Sequence, residues 1–178
     1  DDRMQKTRNL VEVANGVLAH HHKLAQEGKI AEEDAKKAAR DSLRNLRYAG
    51  EDYYFVIDHG HNFVLFPPKP ENEGKNVKEL KDANGKFFIQ EFVTAGQKGG
   101  GFVDYWFAKP GQQKPEPKLS YVVNFAPWNW VIGTGIYIDD VDSEFRSNAL
   151  MMGGISAALL ALLGFLGWLV GSSVVNEL

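Results

Sequence analysis

Histidines, carboxylates and glycines gather at a few places in this chain, and none of the groupings has the spacing of a catalytic or metal centre. His20, His21 and His22 are adjacent. Neighbouring residues on a helix point in different directions, so the three cannot grip one ion, and they read as a solvated or subunit-facing surface. His59 and His61 flank Gly60 and read as polar residues at a loop tip rather than metal ligands. Asp139, Asp140 and Asp142 stand just before an apolar run and read as an acidic linker at a membrane surface. Gly96, Gly99, Gly100 and Gly101 form a glycine-rich stretch. Neither a GK[ST] sequence nor a following helix accompanies it, which excludes a P-loop. An enzyme would need a nucleophile–base pair or clustered carboxylates, and no such arrangement rises above chance. No catalytic residue, metal ligand or cofactor is assigned. Arg47 sits where the second helix gives way to the next strand; most arginines so placed are solvated caps, but one at such a junction can also point into a pocket.

Composition narrows the class. The net charge is −3 with 24% charged residues, which excludes the basic stripe of a nucleic-acid binder. There is no cysteine, so neither disulfides nor thiolate metal sites arise. The sequence begins DDRMQKTRNL, without the apolar core of a signal peptide. The expectation is that the chain is an excised part of a longer protein, with an export signal or first membrane helix upstream.

The elements that must position any site follow from periodicity. Residues 1–26 are predicted as one long helix, with Met4, Leu10, Val11, Ala14, Val17, Leu18 and Leu24 at helical spacing. A second helix is predicted from about Ala31 to Leu46, with Glu32, Glu33 and Asp34 at the positive end of its dipole. Tyr53 to Asp58 and Phe63 to Phe66 read as an antiparallel hairpin. Pro67, Pro68 and Pro70 then forbid a regular ladder. Val77 to Leu80 is expected as a single helical turn, and Lys86 to Ala95 as a short helix. Phe102 to Phe107 is a third strand, and the stretch from Lys118 to Asp140 holds two more around the turn Ala126-Pro127-Trp128-Asn129. Gly133 and Gly135 suggest a bulge or a close backbone approach. The last three strands read as a meander, and the whole as an α+β fold with helices packed on one side of a five-stranded sheet.

Ser147 to Asn176 contains no charged residue, a run of about 30 where roughly 20 suffice to span hydrocarbon. A C-terminal transmembrane helix over residues 147–176 is expected. Gly167 and Gly171 form a GxxxG pair suited to close helix packing.

Five segments carry a resemblance: YYFVID, FVLFPPKPENEGKNV, DANGKFFIQEFV, GGGFVDYWFAKPG and KLSYVVNFAPWNWVIGTGIYIDD. In order and spacing they resemble a single Cache domain, type 2, as found in bacterial methyl-accepting chemotaxis proteins and some sensor kinases. The resemblance implies a long N-terminal helix against a PAS-like antiparallel sheet, in an extracytoplasmic domain over residues 1–142. It implies a small ligand, often a short carboxylic acid, between the sheet and its covering loops. It also implies a membrane helix before Asp1, a HAMP domain after Leu178, a homodimer or larger receptor array, and a bacterial inner-membrane location with the domain in the periplasm.

Matching motif to motif, the family's LRY is Leu46-Arg47-Tyr48. Its Y-F-W strand is Tyr53-Tyr54-Phe55, with Phe55 in place of Trp. Phe66 stands where the family usually has His. Tyr105-Trp106-Phe107 stands where it has Y-x-W, and Lys118-Leu119-Ser120-Tyr121 matches K-x-S-Y. The lost His and Trp positions lean toward a more apolar ligand. A carboxylate leaving water needs a cation and neutral donors. Lys118 and Arg47 are the available cations; Tyr53, Tyr105 and Tyr121 are phenolic donors. Phe55, Phe66 and Phe107 complete the expected ligand-binding set. Strand parity puts Lys118 and Tyr121 on opposite faces unless a bulge intervenes. The function expected is sensory recognition that signals through the membrane helix to cytoplasmic domains. The alternatives are a kinase sensor domain or a ligand-free dimerisation module.

Overall fold

The computed structural model describes residues 2–138. Helix α1 (Asp2–Gln26) and helix α2 (Glu32–Arg44) precede a two-residue ribbon, β1 (Arg47–Tyr48) with β2 (Asp52–Tyr53). Then come β3 (Phe55–Asp58), β4 (Phe63–Leu65), α3 (Phe88–Gln97), β5 (Gly101–Ala108), β6 (Pro115–Phe125) and β7 (Trp130–Tyr137). Strands β3 to β7 form one sheet in the order β4-β3-β7-β6-β5, and all its pairings are antiparallel. The β5-β6-β7 meander is as expected from the short connections.

Helix α1 turns Thr7, Val11, Ala14 and Leu18 inward, a stripe at i, i+4, i+7 and i+11. Helix α2 does the same with Ala35, Ala39 and Leu43. Their small side chains let both helices lie close on one face of the sheet, against Tyr54, Val56, Tyr121, Phe125, Trp128, Trp130 and Ile132. Helix α3 lies on the other face, so the helices are not all on one side. Its stripe of Phe88, Ile89, Phe92, Val93 and Gly96 meets Phe55, Ile57, Val103, Tyr105, Val122 and Val131. The physical reason is in the central strands. Three of the four residues of β3 are buried, as are all but one of the eight of β7, so both faces of the sheet demand an apolar cover.

Three local differences have local causes. The strand expected from Tyr53 to Asp58 breaks at Tyr54, because Arg47 and Tyr48 pair with Tyr53 and Asp52 as a separate ribbon. Helix α2 stops at Arg44, two residues early. Val77 to Leu80 is a reverse turn, with the Leu80 N–H donating to the Val77 carbonyl at 3.0 Å. Gly133 and Gly135 mark close approach rather than a bulge, since β6 and β7 keep unbroken register across them. A Cβ on Gly133 would lie 2.7 Å from the Phe55 ring and from Val122, and one on Gly135 would strike Ser120.

The expected membrane helix, its GxxxG pair and the acidic connector fall outside the described residues. Among the described residues, no helix is long and apolar enough to cross a membrane.

Candidate functional site

The α3 face of the sheet has a polar centre, and register creates it. Counting outward from the Ala126–Trp128 turn, Lys118 on β6 falls opposite Tyr137 on β7 and Ser120 opposite Gly135. On the other side, Tyr105 on β5 pairs with Lys118. A row Tyr105–Lys118–Tyr137 therefore crosses three strands, and side chains in such a row stand side by side. Gly135 contributes no side chain to the next row, which leaves the Ser120 hydroxyl reachable by the Tyr105 phenol at 3.0 Å.

Lys118 is 1% exposed. Its Nζ donates to the Tyr53 phenol at 3.3 Å and the Tyr137 phenol at 3.4 Å, both long for such bonds. The same nitrogen lies 4.4 Å from the centroid of the Tyr53 ring and 4.6 Å from that of Tyr137. Ring faces attract a cation, but they do not replace its hydration. Burial pushes the Lys118 ammonium down to about 7, against a smaller opposing effect from the Asp52 carboxylate. The gap from the ordinary 10.5 is on the order of 5 kcal/mol against the charged form. Among the described residues, no carboxylate forms an ion pair with it. Glu116, two residues earlier on β6, is held by Lys114 at 2.8 Å.

An aromatic wall surrounds this amine. The Tyr53 ring meets Phe66 edge-on at 5.9 Å, and Phe66 meets Phe107 at 6.0 Å. From α3, Phe88 stacks on Tyr105 at 4.7 Å and Phe92 on Phe55 at 5.0 Å. Burial pushes the phenols of Tyr53 and Tyr105 upward, so both stay neutral donors across the physiological range. Phe66 and Phe107 also line a cleft of about 240 Å³ with Lys69, Lys81, Ala108 and Pro110 around it. A larger trough of about 630 Å³ beside α3 is an open surface lined by Gln90, Glu91, Thr94 and Lys98, away from the buried amine.

Two devices hold the wall. The Glu73 carboxylate takes a two-pronged bond from Arg44 at 2.9 and 2.7 Å and accepts the Phe66 N–H at 2.8 Å. This ties the proline-rich segment to the end of α2 and fixes Phe66. Those bonds hold the Glu73 carboxyl below its usual range despite partial burial. Second, Thr134 donates to the Tyr53 carbonyl at 2.6 Å and the Tyr48 phenol lies 2.6 Å from the Thr134 hydroxyl. Since the Thr134 proton is committed to the carbonyl, Tyr48 is the donor there. The pair locks the β1–β2 ribbon onto β7.

Of the residues expected from sequence, Tyr53, Phe55, Phe66, Tyr105, Phe107 and Lys118 share this face. Tyr121 does not: it faces the α1 side, with its ring 4.7 Å from Phe102 and the Arg8 guanidinium 5.1 Å above it. Strand parity required this separation, and no bulge reverses it. Arg47 is exposed and turns back on the end of α2, donating to the Arg44 carbonyl at 2.6 Å and the Leu46 carbonyl at 2.9 Å. It closes a helix terminus and does not reach the Lys118 cluster. Sequence reasoning missed Tyr137, Ser120, Phe88 and Phe92. Tyr137 and Ser120 were legible by counting from the turn.

The histidines do not behave alike: His20 is exposed, whereas His22 is half-buried with its ring edge-on to Phe125 at 5.9 Å and to Trp128 at 5.7 Å, so it packs on the apolar face rather than standing solvated. The His59 Nε2 lies 2.8 Å from the Asn124 Oδ1, and the His21 Nε2 lies 3.2 Å from the Ser42 hydroxyl. Among the described residues, no group of three or more His, Cys, Asp or Glu side chains could hold a metal ion.

Comparison with known proteins places this architecture. Residues 1–150 match the family model described as Single Cache domain 2. The methyl-accepting chemotaxis protein McpP of Pseudomonas putida is 32% identical over 177 residues, covering 99% of this chain and 32% of that protein. The sensor histidine kinase MctS of Rhizobium johnstonii is 31% identical over 159 residues, covering 88% of this chain and 34% of that protein. The chain thus spans about a third of the length of these relatives. Among solved structures, a periplasmic sensor domain of a chemotaxis protein superposes with a TM-score of 0.75 at 41% identity, covering 77% of this chain and 96% of that one. A Cache chemosensory domain described for carboxylic acid recognition also superposes with a TM-score of 0.75, at 33% identity, covering 77% of this chain and 94% of that one. By the family match over most of its length, the chain belongs to the single Cache domain 2 family.

Proposed function

We propose that this chain is the extracytoplasmic sensory domain of a membrane chemoreceptor, and that it binds a short monocarboxylic acid with its carboxylate on Lys118. The observation that carries the reading is the buried amine that, among the described residues, has no carboxylate in an ion pair with it. Such a group is costly, and an anionic ligand would remove the cost by supplying the missing charge and hydrogen bonds. One buried cation suits one carboxylate; a second carboxylate on the ligand would enter the aromatic wall unpaired. Tyr53 and one member of the Tyr105–Ser120 pair would provide neutral donors, since the Tyr137 phenol already gives its proton to the Ala108 carbonyl at 2.9 Å, and Phe55, Phe66, Phe88 and Phe107 the apolar surface for a short carbon chain. The similarity to a Cache chemosensory domain that recognises carboxylic acids supports this ligand class.

We further propose that residues 1–142 form the sensory domain and residues 147–176 a membrane helix, on the strength of the uncharged run from Ser147 to Asn176. A dimer, a HAMP domain and cytoplasmic signalling partners would complete the receptor, with the domain in the periplasm. Similarity to a sensor histidine kinase supports a second reading, in which the same domain drives a kinase.

The test is a thermal-shift and calorimetric screen of the isolated domain with acetate, propionate, pyruvate, lactate and dicarboxylates of similar length. Stabilisation by monocarboxylates, weaker for dicarboxylates and lost when Lys118 is replaced, is expected. No stabilisation by any acid would overturn the ligand class.

A further inference from the structure

The Lys118 amine has surroundings that suit its neutral form as well as its charged one. Its polar neighbours are two phenols, of Tyr53 and Tyr137. The Tyr137 phenol gives its own proton to the Ala108 carbonyl at 2.9 Å and so accepts an N–H from the amine, whereas the Tyr53 phenol can give its proton to an amine lone pair, so a neutral amine finds partners for its lone pair and for one N–H. The groups that face it come from every surrounding element. Strand β2 brings Tyr53 and, as a more distant influence, the Asp52 carboxylate. Strand β5 brings Tyr105 and β7 brings Tyr137. Its own strand brings Ser120 and the Lys114-paired Glu116. Lys109 lies over the Tyr137 ring at 5.3 Å and opposes a second positive charge on that ring. Helix α3 contributes Phe88 and Phe92, and the proline-rich segment Phe66, none of which titrates.

Resting on the reading that the site takes a carboxylate, we propose that it binds a carboxylate and a proton together: Lys118 takes up the proton as the anion arrives. The domain would then sense a short acid and the surrounding pH as one quantity. The step balances simply. An amine, a solvent proton and a carboxylate anion become an ammonium–carboxylate pair; the proton joins the Nζ lone pair and no bond to carbon changes. The buried site is electrically neutral before and after. Carrying an anion alone into this wall, or protonating the amine alone, leaves one uncompensated charge out of water. Moving them together leaves none.

The sign follows from linkage. The bound state holds one more proton than the free state wherever free Lys118 is neutral, so affinity falls as pH rises through the free amine's titration near 7. Above that point the dissociation constant should rise roughly tenfold per pH unit, giving about fiftyfold weaker binding at pH 9 than at pH 7. Below it, affinity should be flat until the ligand's own carboxyl protonates.

The experiment is calorimetry on the isolated sensory domain. Closely similar Cache domains, 94–96% covered by this chain, exist as separate structures, so the domain is a fair unit. Acetate, propionate and pyruvate are titrated near pH 8 in phosphate and in Tris, whose ionisation enthalpies differ, and again near pH 6 in phosphate and bis-Tris. Uptake of close to one proton per bound anion at the higher pH, and close to none at the lower, is expected. Binding heat with no buffer dependence at the higher pH would overturn the proposal while leaving the carboxylate site intact. No heat from any probe would remove the carboxylate reading itself, and this inference with it. A second measurement stands apart from any probe: with lysine labelled at the ε-carbon, the Lys118 resonance of the free domain should titrate near 7. A midpoint above about 9, where an ordinary lysine begins to titrate, would also overturn it.

Discussion

Replacing Lys118 with methionine separates the site's purpose from the fold's stability, because the two should move in opposite directions. Methionine has similar length, no charge and a flexible apolar stem. In the folded domain the amine titrates at about 7, against 10.5 when exposed. Folding at pH 7 therefore works against the lysine by about 4 kcal/mol. Losing two long phenol bonds gives back about 1 kcal/mol. Lys118→Met should thus stabilise the ligand-free domain by roughly 2–3 kcal/mol, within the range seen when buried charges are replaced by apolar side chains. That corresponds to a melting-temperature rise of roughly 5–12 °C for a domain of this size. The pH dependence sharpens the test. The unfolded chain binds more protons than the folded one between about 7 and 10.5, so this lysine makes wild-type stability climb with pH across that window. The methionine variant should lack that climb. Binding should fall by at least the roughly 1.5–3 kcal/mol of a charged hydrogen bond. The assay is urea unfolding at several pH values, beside calorimetry with the best-bound acid. A variant less stable than wild type at pH 7, or one that binds the acid unchanged, would refute the reasoning.

Phe66→His should shift the ligand profile toward smaller or more polar acids in the thermal-shift screen, because the ring meets Phe63, Tyr53 and Phe107 and a polar donor there needs a partner; an unchanged profile would put Phe66 outside the ligand's reach. Glu73→Gln should cost about 1–2 kcal/mol in urea unfolding, since it weakens the Arg44 bonds and the Phe66 anchor. Because the Glu73 carboxyl is held low when folded, its contribution is present above the ordinary carboxylate range and disappears as pH falls through the folded value, a dependence the variant should lack. Gly135→Ala should destabilise by about 2 kcal/mol or more, as the new methyl would strike Ser120 and lie 2.7 Å from the Leu119 carbonyl. Flexible glycines inserted between Ile138 and Val141 of the full receptor should leave acid binding intact and weaken the chemotactic or kinase response. A fully normal response would remove direct coupling from β7 to the following segment.

Much of this was legible where pattern and burial agree. The α1 stripe and the β5-β6-β7 meander follow from period and short loops, and the opposite facing of Lys118 and Tyr121 from parity alone. Other features turn on contacts between distant residues. The junction position of Arg47 leaves both a helix cap and a pocket cation open, and the resemblance weights the pocket; only the fold shows its guanidinium on the carbonyls that end α2. Glu73 is one of several acids in a loop, and only folding brings Arg44, 29 residues earlier, to its carboxylate. The placement of α3 opposite α1 and α2 required knowing that β3 and β7 are apolar on both faces, and short apolar runs do not distinguish that from a half-buried strand. Tyr137 escaped for a different reason: its place beside Lys118 follows only from the register of the hairpin, which counting outward from the turn gives and inspection of single residues does not.

The central claim is that the buried amine is the ligand's charge partner, and a crystal structure of the sensory domain with its best-bound monocarboxylate tests it most directly. The account predicts a carboxylate oxygen within about 3 Å of the Lys118 Nζ, Tyr53 or Tyr105 donating to the same carboxylate, and the carbon chain against Phe55, Phe66 and Phe88. An acid bound in the outer cleft beside Lys69 and Lys81, with Lys118 still held only by its two phenols, would contradict it.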